Sequence, residues 1–250
     1  MIIEHPAFSD IPALRSLWKE AFCDPDAFLD LFFSKAFAPE RALAVKENGQ
    51  ILAALYWFYC AWEEKQCAYI YAVATKKEHR GKGICHALMA HLHTEMGKKG
   101  EGTVLVPADD GLRTFYAQMG YRDFGGMDEK VYRCGDTFVA AEKLSADEYM
   151  QKRRALLPHG SILQEGEVLP FLEGMITFFG GENWLLAGGK MEDAWIFPEF
   201  LGDIALLPGI LNTLEIPFAR VCTAGEHPFA MYRGATELQE LPRYFAFALD

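Results

Sequence analysis

Hydrophobic and polar positions change period several times along the chain. Ser9 and Asp10 precede Ile11, Leu14, Leu17 and Trp18, the spacing of a capped helix with one apolar face. Residues 24–37, DPDAFLDLFFSKAF, predict a second helix with Pro25 near its first turn. Residues 42–75 then read as three strands, the first two joined by Asn48-Gly49, a strong hairpin turn pair. The third strand, AYIYAVAT, is apolar throughout, as a central strand covered on both faces must be. Beyond it Ile84, Leu88, Leu92 and Met96 mark one stripe of a helix. Gly97 and Gly100 end that helix, with Lys98 and Lys99 favourably placed near its carboxyl end. GTVLVPA predicts a strand, and DDGLRTFYAQMG a short Asp-capped helix with a stripe of Leu112, Phe115, Tyr116 and Met119 and with Gly120 as terminator. YRDF and KVYRC predict two more strands.

After Cys134 the texture repeats weakly. Ser145 and Glu148 form a capping box for a helix to about Leu157. GEVLPFLEGMI predicts a helix interrupted by Pro170, residues 183–203 a hairpin, and ALLPGILNTL a helix with Pro208 near its start. FARVC, FAMYRG and RYFAFAL read as strands, the last tied into a sheet so that truncation should destabilise the protein. The expected organisation is an α/β (α+β) chain: a domain over residues 1–135 and a smaller α/β module over 136–250, closely packed because no low-complexity linker separates them.

Composition narrows the function. With 250 residues, half of them apolar, the chain can bury a core. A net charge of −11 argues against a nucleic-acid partner, which needs clustered Lys and Arg. The longest apolar run, residues 51–62, is too short for a membrane span of about 20 residues. No signal segment is visible, so a cytoplasmic location is expected. The six cysteines show neither CxxC pairs nor metal-ligand spacing; free buried thiols and no metal are expected.

The segment EHRGKGIC, residues 78–85, sits between the apolar strand and the striped helix. A helix begins with unsatisfied N–H groups and a partial positive charge, for which phosphate is a natural partner. Gly81 and Gly83 remove side chains that would keep an anion from the backbone, and Arg80 and Lys82 add positive charge. The inference is a pyrophosphate site at the end of a central strand; the bland alternative is an ordinary turn and cap. Neither GxxxxGK[ST] nor GxGxxG is present.

YAVATKKEHRGKGIC resembles the signature of the GNAT superfamily of acyl-CoA-dependent N-acetyltransferases, [RQ]-x-x-G-x-[GA]. Arg80 and Gly83 match it, and Cys85 departs from its last position. VLVPADDGLRTFYAQMGYRDF is similar to the later GNAT segment that ends in Y-x-x-x-G-[FY], with Tyr116, Gly120 and Tyr121 in place and Asp109 where Asn is common. The resemblance covers about residues 1–135. It implies the GNAT fold, a mixed central sheet flanked by helices, and transfer of an acetyl group from acetyl-CoA to a primary amine of a small molecule or peptide by direct attack. Val73, Ala74 and Thr75 would line the pantetheine arm, and residues Arg80, Gly81, Lys82, Gly83, Ile84 and Cys85 would hold the diphosphate. Tyr116 would be the general acid, the alternative being a core tyrosine. The acceptor would sit over the first two helices, where Asp24, Asp26 and Asp30 either receive a cationic amine or form a solvated helix face. Tyr71 as a proton relay competes with Tyr71 as packing, and His79 and His86 as catalysts with the same residues as ordinary surface groups. Residues 194–214 repeat the strand–turn–helix order, a degenerate GNAT-like half in which Asp203 at the turn disfavours a second cofactor site. A non-catalytic acyl-CoA-binding or sensing module is the competing function.

Overall fold

The computed structural model describes residues 1–191, 193–236 and 240–247. They fall into two compact units, Met1–Arg122 with Tyr232–Glu240, and Asp123–Met231 with Leu241–Leu249.

The first unit runs β1 (Ile2–Glu4), α1 (Ile11–Phe22), α2 (Asp26–Lys35), β2 (Ala42–Glu47), β3 (Gln50–Trp62), β4 (Lys65–Thr75), α3 (Ile84–Lys99), β5 (Gly102–Leu105) and α4 (Asp110–Ala117). Its strands lie in the order β1-β2-β3-β4-β5; the first three junctions are antiparallel and β4–β5 is parallel. The β2–β3 hairpin turns at Asn48 and Gly49, both in the left-handed region (φ 49° and 78°), as the pair predicts. On one face α1 buries Leu14, Leu17 and Trp18, and α2 buries Leu29 and Phe32. The Trp18 ring lies 5.2 Å from Tyr56 and 5.8 Å from Tyr71, which joins the helices to β3 and β4. α3 buries Ile84, Leu88, Leu92 and Met96, the predicted stripe, against the sheet. Each such side chain contributes about 1.5–3 kcal/mol on burial. α4 departs from expectation: Tyr116 is buried, but Leu112 is exposed and the stripe is solvated at its start.

The second unit contains β6 (Arg122–Arg133), β7 (Glu142–Leu144), α5 (Ala146–Leu156), β8 (Ile162–Gln164), α6 (Leu169–Met175), β9 (Thr177–Gly180), β10 (Leu185–Met191), β11 (Ala194–Leu201), α7 (Leu207–Thr213) and β12 (Phe218–Arg233), whose last two residues belong to the first unit. Its strand order is β7-β9-β10-β11-β12, antiparallel until the parallel β11–β12 pair, with β6 on β12. The Ser145–Glu148 capping box is formed. Pro170 stands in the first turn of α6, so it starts that helix rather than interrupting it. YRDF and KVYRC are parts of one strand, because Gly125 takes φ 58° and lets the chain run on through the glycine pair. FARVC and FAMYRG likewise belong to the single β12. RYFAFAL is no strand over residues 243–247, though Tyr244–Phe247 are buried; 248 and 249 lie outside the described residues. The Arg243 N–H donates to the Gly160 carbonyl, and the Ile162 N–H to that of Tyr244. Arg153 and Glu199, both fully buried, pair through guanidinium Nε and Nη2. None of the cysteines forms a disulfide: Cys60 and Cys67 are buried as expected, whereas Cys23 and Cys134 are exposed.

Candidate active site

β4 and β5 pair from Cys67/Gly102 only as far as Tyr69/Val104, while β4 continues to Thr75. Beyond Tyr69 the two strands part. A bulge accompanies the parting: Ala54 opposes Ala74 and Tyr56 opposes Tyr71, so Ala72 and Val73 together face Leu55, and Ala72 takes φ 50°. Val73 and Thr75 are half-buried and Ala74 is buried at this edge. The uniformly apolar strand carries no sequence signal for a bulge, because any residue of AYIYAVAT could have been displaced.

The strand leads through the turn Lys77–His79 into the glycine segment. Glu20 of α1 accepts the Lys77 N–H at 2.6 Å and ties that turn to the first helix. Gly81 and Gly83 take φ 73° and 75°, conformations that glycine adopts without strain. Gly83 is the N-cap of α3, and no side chain caps the helix. The first helical bond runs from Ala87 N–H to Gly83 O, so the N–H groups of Ile84, Cys85 and His86 precede it. A Cβ built on either glycine meets nothing within 4 Å, so no protein atom crowds the turn on that side. Lys82 is exposed beside them. Arg80 instead donates Nε–H to the Thr75 carbonyl at 3.0 Å and braces the loop against the strand end. Ile84 is a core residue that offers only its backbone. Burial pushes the Cys85 thiol up to about 11, so it is protonated at neutral pH and unsuited to act as a nucleophile.

Asp109 caps α4; its Oδ1 accepts the Leu112 N–H at 2.7 Å. The carboxylate that stands at the usual Asn position is thus a helix cap. Tyr116, 7% exposed, packs its ring 5.4 Å from Phe115 and 5.8 Å from Tyr121. The three α1–α2 carboxylates have partners: Asp24 accepts Trp18 Nε1–H at 2.7 Å, Asp26 pairs with Lys19 and Arg15, and Asp30 with Arg15. The Lys19 hydrogen bond leads in lowering the Asp26 pKa. Tyr71 packs within a cluster that includes Trp18, Phe32 and Phe58. His79 lies near Glu78, and His86 faces a cavity on the outer flank of α3. Arg233 lines the same cavity; its distance in sequence from the glycine segment hid it from motif reasoning.

A family model described as an acetyltransferase (GNAT) domain matches residues 3–123. No curated protein matches at the level of sequence. Among solved structures, a GCN5-related N-acetyltransferase from Anabaena variabilis superposes with a TM-score of 0.70 at 14% identity, over 94% of this chain and 73% of that one. One from Kribbella flavida gives 0.68 at 14% identity, over 94% and 72%. Eis1 from Mycobacterium abscessus gives 0.64 at 9% identity, over 94% and 74%. At these identities the likeness concerns the fold, a mixed sheet flanked by helices, and it reaches well beyond the segment that the family model covers. The parted strands and the glycine turn both fall within residues 3–123, the segment that is similar to an acetyltransferase (GNAT) domain.

Proposed function

We propose that the protein is an acetyl-CoA-dependent N-acetyltransferase acting on a primary amine of a small molecule or peptide. The observation that carries this reading is the parting of β4 from β5 directly before two left-handed glycines and an uncapped helix start. An extended thioester with a diphosphate at one end suits that arrangement. The amides from Gly81 to Cys85, with Lys82, would hold the diphosphate, and Val73, Ala74 and Thr75 the pantetheine arm. The amine nitrogen attacks the thioester carbonyl, a main-chain N–H of the β4 edge steadies the oxyanion, and the carbon–sulfur bond breaks. One such donor is worth about 3 kcal/mol. Tyr116 gives its phenolic proton to the departing thiolate and regains one from water, while the nitrogen releases its extra proton to solvent. The second unit, on this reading, is a GNAT-like module without a second acyl-CoA site.

The test is thiol release over a panel of amines, with thermal unfolding in the presence of CoA alongside. Tyr116→Phe keeps the packed ring and removes the proton. It should lower kcat by about 10²–10⁴-fold with little change in melting temperature or in KM for acetyl-CoA. Unchanged turnover in that variant would remove Tyr116 from the chemistry. Stabilisation by CoA without turnover of any amine would mean a binding module in place of an enzyme.

A further inference from the structure

Below the glycine turn, the outer flank of α3 carries a cavity of about 430 Å³ lined by His86, Ala90, His93, Thr94, Gln118, Met119 and Arg233. A second, of about 440 Å³, shares Met119 and Arg233 and adds Gly120, Arg122 and Thr236. No carboxylate among the described residues lines either one, although the chain has 35 Asp and Glu against 24 Lys and Arg. Arg233 is half-buried, and its hydrogen bond goes to Nδ1 of His93. A guanidinium only donates, so that ring nitrogen is bare and the proton sits on Nε2. Nε2–H then faces the Tyr121 hydroxyl at 2.9 Å, and that hydroxyl pairs with Thr103 Oγ1 at 2.7 Å. This chain of bonds fixes Arg233 from the inside, and among the described residues no carboxylate pairs with its guanidinium. Burial lowers the Arg233 pKa. A held cation with spare planar donors, a neighbouring imidazole at His86 and the Gln118 amide together form a receptor for a tetrahedral oxyanion.

We propose that this cavity binds a phosphate monoester, with Arg233 as its anchor and His86 at its rim. Two sources share that chemistry: the 3′-phosphate of CoA, which rests on the acyl-CoA reading above, and a separate phosphorylated metabolite, which does not. Calorimetry with CoA and with 3′-dephospho-CoA, on wild type, Arg233→Gln and His86→Glu, distinguishes them. His86 is exposed, so its variant keeps the fold even if Arg233→Gln does not. If the cavity takes the cofactor's own phosphate, wild type prefers CoA at least about tenfold, and both variants lose the preference. If the two cofactors bind alike, millimolar inorganic phosphate should raise the melting temperature of wild type but of neither variant. That shift should survive in Gly83→Asp, so a failure of the diphosphate loop would not be mistaken for a failure of this site. A CoA preference and a phosphate shift that are both absent, or both untouched by the two variants, would overturn the proposal.

Discussion

Charge at Gly83 can be separated from shape. The residue holds φ 75°, is exposed, and a Cβ there meets nothing within 4 Å. Any L-residue in this region costs up to about 1–2 kcal/mol, and Asn and Asp cost less because they tolerate it. Asn and Asp have the same shape, so their difference at this site is the charge. Two unit charges about 4 Å apart interact by about 1 kcal/mol in water and about 4 at an effective dielectric of about 20. For an exposed loop the lower part of that range governs, so a diphosphate should feel about 1–2 kcal/mol of repulsion from Asp. That corresponds to CoA binding about five- to thirtyfold weaker in Gly83→Asp than in Gly83→Asn. Calorimetry at low ionic strength measures the ratio, and added salt should shrink it. Equal affinity of the two variants at low salt would refute an anion at this turn, whatever their stabilities.

Other parts of the chain give sharper stability tests. Glu199→Ala leaves the buried Arg153 guanidinium unpaired and should cost about 3–5 kcal/mol in urea unfolding; a loss below about 1 kcal/mol would mean that water reaches the pair. Tyr244→Phe removes a buried 3.0 Å hydrogen bond to the same carboxylate and should cost about 1.5–3 kcal/mol by the same measurement. Gly102→Ala would put a Cβ 2.1 Å from the Tyr232 hydroxyl oxygen, an overpacking cost of about 1–3 kcal/mol visible as a lower melting temperature. The Cys85 thiol, raised from 9.0 to about 11 by burial, holds its proton longer than an ordinary thiol as pH rises. Its alkylation at pH 8 should be about a hundredfold slower than that of an unperturbed thiol and should climb about tenfold per pH unit until near pH 11; fast labelling at pH 8 would refute the burial.

What the sequence made legible follows from local physics. α3 could be read because its stripe repeats every four residues over four turns and Gly100 ends it, although Gly97, expected to share that role, is still helical; the β2–β3 hairpin could be read because Asn48-Gly49 suits very few other structures. The glycine turn was readable because both glycines need positive φ. The bulge at Ala72 was hidden, since an all-apolar strand has no alternation to be broken. β6 reads as two strands in sequence because Gly125 and Gly126 carry no side chains to signal a strand, and the pairing of β6 with β12 carries it through. The buried Arg153 and the cavity around Arg233 were equally invisible, because their partners lie 46 and 140 residues away.

The second unit shows what the same strand order does with different turn chemistry. Like β4 and β5, β11 and β12 are parallel neighbours joined through a helix, and their pairing stops at Phe197/Val221 while β11 continues to Leu201. In the first unit β4, beyond its last pair with β5, leads to Gly81 and Gly83, where a built Cβ meets nothing within 4 Å. In the second unit, Leu201 and Cys222, next to that parting, pack instead against Met127, Tyr244 and Ala246. The Tyr244 hydroxyl reaches Glu199 on β11, and the Gln164 amide holds the Ala246 carbonyl. At the following turn Asp203 accepts the Ala205 N–H at 3.0 Å, which spends on a carboxylate the donor that phosphate would require. Apolar side chains thus cover the parting of β11 from β12, and a carboxylate already accepts at the turn that follows. Removing residues 244–250 should therefore lower stability by exposing Cys222 and uncovering the Arg153–Glu199 pair, without creating a second CoA site, because Asp203 would still occupy the helix start.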